Sequence, residues 1–138
     1  MISTPAERNP KVLLVDEDSR NACVLAKMLR EDGYEVEIAS DADEAIARFS
    51  IAPAPDVLLT DFRLPHADGV GLAQFVRARE LEIPVMIYSA HAEIVSRLVD
   101  RLCPRPVVLS KPIAYDEIAG ELDRVLHPTR RSSRRATM

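Results

Sequence analysis

Asp61 closes an apolar run, Val57-Leu58-Leu59-Thr60, and turn chemistry follows at Pro65 and Gly69. A short branched apolar run bounded by proline and glycine predicts a strand buried on both faces. A carboxylate at the carboxyl end of such a strand lies where open α/β sheets bind ligands and do chemistry. It must be solvated, paired or metal-bound, because an isolated buried charge is too costly. Three other runs end in polar groups too. Lys11 to Val15 stops at Asp16-Glu17-Asp18, Pro84 to Tyr88 at Ser89-Ala90, and Val107 to Leu109 at Ser110-Lys111-Pro112.

If these strands are parallel, Asp16, Glu17, Asp61, Ser89 and Lys111 share one edge of a sheet. Three carboxylates there repel one another unless a cation joins them. Oxygen-only ligands with room for water suit Mg²⁺, which takes few carboxylates and keeps several waters. Ser89 offers a hydroxyl donor and Lys111 a point charge. A tetrahedral anion could then be held against a carboxylate nucleophile. In-line phosphoryl transfer needs that positioning and neutralisation of the equatorial oxygens. Only 3 of the 18 basic residues are lysines, and a compact ammonium suits one phosphoryl oxygen better than a guanidinium fork.

The stretches between these runs read as helices and one more strand. Ser19 is placed to cap a helix whose stripe is Ala22, Leu25, Ala26 and Leu29, with Gly33 beyond its end. Glu35 to Ala39 alternates as a strand. Ser40 with Asp43 resembles a capping box before the stripe Ala42, Ala45, Ile46 and Phe49. Leu72, Phe75 and Val76 suggest a third helix. Ile94, Leu98 and Leu102 give one face of a fourth, and Ile118, Leu122, Val125 and Leu126 a fifth. Five strand-then-helix units predict an α/β, doubly wound, five-stranded parallel sheet with right-handed crossovers and helices on both faces.

The bulk numbers agree with one domain. A chain of 138 residues with 47% hydrophobic content can bury a core. No apolar stretch reaches the roughly 18 residues of a membrane span, and the N-terminus lacks a signal-peptide core. Cys23 and Cys103 read as reduced packing thiols of a cytoplasmic protein. The net charge of −4 is uneven: the last twelve residues hold four arginines and no acid, leaving −8 on the rest. An acidic body argues against nucleic acid as the main partner. The domain is expected over residues 9–127, with a flexible basic tail over 128–138.

The pieces VLLVDED, LLTDFRLPHADG, IPVMIYSA and VVLSKP, in this order and spacing, are similar to the receiver domain of response regulators in two-component signalling. The resemblance covers about residues 11 to 126. It implies a flavodoxin-like, CheY-like fold with strand order 2-1-3-4-5. It also implies that Asp61 accepts a phosphoryl group from a sensor histidine kinase or a histidine phosphotransfer protein. Asp16, Glu17 (in place of a more usual second Asp), Asp61 and the main-chain carbonyl of Arg63 would hold Mg²⁺. Ser89 and Lys111 would contact the phosphoryl group, and Lys111-Pro112 would be a cis peptide. Arg63 and His91 would flank the path of the hydrolytic water and set the lifetime of the phosphorylated form. His66 and His91 are not expected to bind metal. Such a protein is a cytoplasmic switch that alters partner binding, not an enzyme with a separate substrate.

Three departures from the family pattern concern output. Val108 stands where an aromatic is usual, Pro104-Arg105 replaces a small Gly-Ala pair, and Ser89 lacks the methyl of threonine. The signalling surface is expected at the sheet edge and the last helix. Two other classes compete with the switch. A haloacid-dehalogenase-like hydrolase would use Asp16, but Asp16-x-Asp18-x-Arg20 fails its motif at the last position. A phosphorylation-independent interaction module on the same scaffold would lack acceptor groups that are all present here.

Overall fold

Every apolar run named above becomes a strand in the computed structural model, which describes residues 9–127. In chain order the elements begin β1 (Lys11–Val15), α1 (Ser19–Glu31), β2 (Glu35–Ala39), α2 (Ala42–Phe49) and β3 (Val57–Asp61). A two-residue hairpin follows, β4 (Arg63–Leu64) and β5 (Ala67–Asp68), and leads into α3 (Gly69–Ala78). Then come β6 (Val85–Ser89), α4 (Ala92–Leu98), β7 (Val107–Ser110) and α5 (Tyr115–Leu126). The hairpin was not expected, because two residues per strand carry no readable alternation.

The main sheet is parallel throughout, in the order β2-β1-β3-β6-β7. With the hairpin strands left out of the count, that is the expected 2-1-3-4-5. Helices cover both faces, which is why β3 and β6 are buried at every position and read as unbroken apolar runs. On one face α1 and α5 pack Leu25, Leu29, Ile118 and Leu122 against Leu14, Leu59 and Met86. On the other, α2, α3 and α4 pack Phe49, Leu72, Val76 and Val95 against Leu13, Leu58 and Ile87. The parallel register aligns Val15 with Thr60 and Asp61 with Tyr88, and Ser89 with Ser110, so the polar strand ends share one edge.

The local chemistry corrects several expectations. Asp18, not Ser19, caps α1: one of its carboxylate oxygens accepts from the main-chain N–H groups of Arg20 and Asn21, at 3.1 and 3.2 Å. The capping box of α2 is shifted by one residue. Asp41 accepts from Glu44 N at 2.8 Å, and Glu44 reaches back to Ser40 N at 2.6 Å. The longer Glu side chain can make that return bond where Asp43 cannot. The buried face of α4 is Val95 and Val99, while Ile94 and Leu98 are exposed. Two apolar pairs four residues apart run side by side here, and the sheet takes the valine pair. Cys23 and Cys103 are unpaired as expected, but both are exposed and neither is a packing thiol.

Two glycines are needed where they stand. Gly33 follows α1 at φ +98°, a left-handed conformation that costs it little. Gly69 instead serves close approach. A Cβ there would lie 2.8 Å from the carbonyl oxygen of Asp61, 3.1 Å from Thr60 Cγ2 and 3.2 Å from Ile87 Cγ2. Its N–H also donates to Phe62 O at 2.7 Å, so the backbone cannot easily back away. Gly69→Ala is therefore expected to lower stability by about 1–3 kcal/mol through overpacking. Thermal melts should show a Tm drop of roughly 5–15 °C, and a Tm equal to wild type would show that the strand end yields freely.

The Arg77 side chain ties the connection into β7 to the one before β6. Arg77 donates to Pro104 O at 2.9 Å, Leu81 O at 2.9 Å and Ile83 O at 2.8 Å. Val108 is half-buried on the α2, α3 and α4 face and pairs with Ile87. The basic tail, expected over 128–138, lies outside the described residues. Among those described, no helix is long and apolar enough to cross a membrane.

Candidate functional site

Asp16 follows β1 directly and is 2% exposed, a burial a carboxylate tolerates only when its oxygens are satisfied. They nearly are. Oδ1 accepts from Asp18 N at 2.9 Å, and Oδ2 accepts from Asn21 Nδ2 and from the Tyr88 hydroxyl, each at 2.8 Å. Tyr88 itself is buried on β6, among the apolar residues of the α1 and α5 face. Burial, and then the neighbouring Asp16 carboxylate, push its phenol well above the ordinary tyrosine range. The hydroxyl thus keeps its proton and acts as a donor.

Asp61, at the end of β3, is 9% exposed. Its carboxylate meets Lys111 Nζ, which lies 3.1 Å from both Oδ1 and Oδ2. Lys111 reaches it because its main-chain N–H donates to Ser89 O at 2.9 Å, carrying the β6–β7 ladder one residue further. The Lys111-Pro112 peptide is cis, as the resemblance implies. The ammonium also sits 5.3 Å from the centre of the Tyr88 ring. One aromatic residue therefore touches both halves of the site, Asp16 through its hydroxyl and Lys111 through its π face.

Asp16, Asp61, Lys111 and Tyr88 line one cavity of about 480 Å³, together with Asp18 and Asn21. Its other side is apolar, with Val24, Leu25 and Met28 of α1 facing Ile113, Tyr115 and Ile118. Val24 is 61% exposed and forms part of an open shelf beside the acids. Tyr115 spans the gap between α5 and α1, its one hydroxyl proton donated mainly to Asp32 and shared with Met28 O.

The remaining expected residues are placed differently. Ser89 is 3% exposed, and its Oγ accepts from His91 N at 2.9 Å. Alternation along β6 turns it to the face opposite Tyr88, and it does not line the cavity. Glu17 is exposed and outside the lining, whereas Asp18, the cap of α1, is part of it. Arg63 is exposed in the hairpin directly after Asp61, and His91 is exposed at the start of α4. Among the described residues, no three Asp, Glu, His or Cys side chains converge as a ready metal-ligand set. The donors present are still the right kind for Mg²⁺. Asp16 and Asp61 are hard oxygen ligands on one cavity, and two carboxylates with waters satisfy that ion.

Sequence reasoning passed over Tyr88 and Asn21. The signal was available for Tyr88, since a phenol at the end of a wholly buried strand must find a hydrogen-bond partner. Its partner, Asp16, ends the strand beyond neighbouring β3.

The model of the response regulator receiver domain matches residues 12–123. The chain belongs to that family. Among curated proteins it is 32% identical over 123 residues to the transcriptional regulatory protein TrcR of Mycobacterium tuberculosis, covering 89% of this chain and 46% of TrcR. It is also 32% identical over 118 residues to the transcriptional regulatory protein PrrA of Mycobacterium leprae, covering 86% and 50%. The chain thus spans about half the length of these relatives. Among solved structures, the receiver domain of the Francisella response regulator 1452 superposes with a TM-score of 0.79 at 28% identity, covering 88% of this chain and 99% of that one. The receiver domain of the sensor histidine kinase PA1611 from Pseudomonas aeruginosa PAO1, which has a magnesium ion coordinated in its active site cleft, superposes with a TM-score of 0.72. It is 28% identical and covers 86% of this chain and 98% of that one.

Proposed function

We propose that this receiver domain is a phosphorylation-dependent switch in which Asp61 accepts a phosphoryl group and the change alters partner binding. The observation that carries the reading is the pairing of Asp61 with Lys111 at 3.1 Å, on a cavity shared with Asp16. The donor would be a phosphohistidine on a sensor histidine kinase or a phosphotransfer protein. The apolar shelf of Val24 and Met28 beside the acids suits a docking helix that delivers it.

Each residue has a part in the transfer. One carboxylate oxygen of Asp61 attacks phosphorus in line as the P–N bond of the donor breaks, and the electron pair leaves with the imidazole. Lys111 exchanges one carboxylate contact for a phosphoryl oxygen and follows the charge. Ser89 joins by turning its hydroxyl away from His91 N toward a second oxygen. A magnesium ion held by Asp16, Asp61 and the carbonyl of Arg63, with Glu17 rotated inward, would neutralise the remaining oxygens. The chain turns over no separate substrate in this scheme. Arg63 and His91, both exposed at neighbouring strand ends, would set how quickly water reaches the acyl phosphate.

The reading extends to a cytoplasmic two-component system whose output is a protein contact. Because TrcR and PrrA are named as transcriptional regulators, a nucleic-acid end-point belongs to the whole-protein readings. The acidic body itself makes a poor surface for a polyanion. The test is to incubate the protein with Mg²⁺ and acetyl phosphate and to map the acid-stable, base-labile adduct by peptide mass. It is expected on Asp61 alone, and an adduct on Asp16 or none at all would overturn the proposal.

A further inference from the structure

The hydrogen bonds on Asp16 are unequal in a way that bears on how a cation could be held. An ionised carboxylate offers about four lone-pair sites, two per oxygen. On Oδ2 both are filled, by Asn21 Nδ2 and the Tyr88 hydroxyl, each at 2.8 Å. On Oδ1 one is filled, by Asp18 N at 2.9 Å. A single site is left, on an oxygen of a residue that lines the cavity shared with Asp61. Free rotation about χ2 would let Asp16 offer either oxygen, or both. Two donors from different elements, one on α1 and one on β6, remove that freedom.

We propose that Tyr88 and Asn21 are positioning residues for a divalent cation: they saturate Oδ2 of Asp16 and leave Oδ1 as its one ligating oxygen. The inference rests on the reading of the site as one that takes Mg²⁺, and adds to it which residues decide how the first carboxylate meets the ion. Tyr88 does more than fill space, because its ring also underlies Lys111 Nζ at 5.3 Å. Its hydroxyl can be removed without touching that second contact. Tyr88→Phe keeps the ring, and Asn21→Ala removes the other donor from an exposed position at the start of α1, where the fold depends on it little.

Outer partners that orient a ligand typically change metal affinity by about 10–100-fold when removed. The experiment is a calorimetric titration of MgCl₂ into the unphosphorylated protein, for wild type, Tyr88→Phe and Asn21→Ala, with melts in EDTA alongside. Each variant is expected to bind Mg²⁺ at least about tenfold more weakly. The EDTA melt of Asn21→Ala should stay near wild type, which separates ligand positioning from loss of structure. Affinities within twofold of wild type in both variants would overturn the inference while leaving the phosphorylation reading intact. If Tyr88→Phe fails to fold, Asn21→Ala decides by the same criterion. A wild type that binds no Mg²⁺ at all would overturn both.

Discussion

Asp61→Asn is expected to abolish labelling by acetyl phosphate, leaving no base-labile adduct anywhere on the chain. The amide has nearly the shape of the carboxylate, so the strand end and the carbonyl contact beneath Gly69 need not move. It is not a nucleophile, and it forms no ion pair with Lys111. The nearest substitute would be Asp16, yet three donors already occupy its oxygens at 2.8–2.9 Å. A carboxylate so tied lacks the mobility to align its one remaining lone pair for in-line attack. Residual labelling should therefore stay at background over the same time course, measured by phosphate incorporation and peptide mapping. Labelling equal to wild type would place the acceptor elsewhere. A label that moves to Asp16 would revive the hydrolase-like arrangement set aside on its motif.

The strands were legible because their signal is burial on both faces: Val57 to Asp61 and Val85 to Ser89 have no solvent side to blur the run. Asp61 and Lys111 could be paired in advance because parallel strands end on one edge, and chain order alone then brings them near. What sequence could not decide was competition between equivalent choices. Ile94/Leu98 and Val95/Val99 are both four-residue pairs, and only the angle at which α4 meets the sheet selects the second. Caps shift by one residue for a similar reason, since Asp18 and Ser19 are both good caps and the winner depends on where the strand lets the chain go. That Asp18 lines the cavity and Glu17 does not was equally unreadable, because a turn, unlike a strand, fixes no alternation of sides.

The same contrast explains why Tyr88 escaped notice although it joins the two halves of the site. Its sequence neighbours describe a strand, and an aromatic in a strand is ordinarily packing. Its function follows from a contact with Asp16 that spans 72 positions and crosses β3 in the sheet. Val108, where a movable ring is usual in the family, is a half-buried aliphatic packed on the opposite face. Among the described residues the aromatic ring recorded over Lys111 Nζ is Tyr88, beside Asp61 rather than one strand further on.

Lys111→Met is expected to slow phosphorylation of Asp61 by about 100- to 1,000-fold, the usual consequence of losing one preorganised group at developing phosphoryl or oxyanion charge. Methionine keeps an unbranched side chain only one atom shorter, so the loss is chiefly of charge. The ammonium contacts both Asp61 oxygens now and would follow one of them to the phosphoryl group, so its removal takes away stabilisation that grows as transfer proceeds. Mg²⁺ binding should move in the opposite direction. With Nζ gone, no fixed cation competes for the Asp61 oxygens, and the affinity is expected to hold or rise in the calorimetric titration. Lys111→Arg should not restore the rate, because a planar fork would hold both Asp61 oxygens bidentately instead of following one of them to the phosphoryl group. Rapid-quench labelling at saturating Mg²⁺ distinguishes the two effects. A Lys111→Met rate within threefold of wild type would mean that the ammonium only neutralises Asp61 at rest and contributes nothing to the transfer.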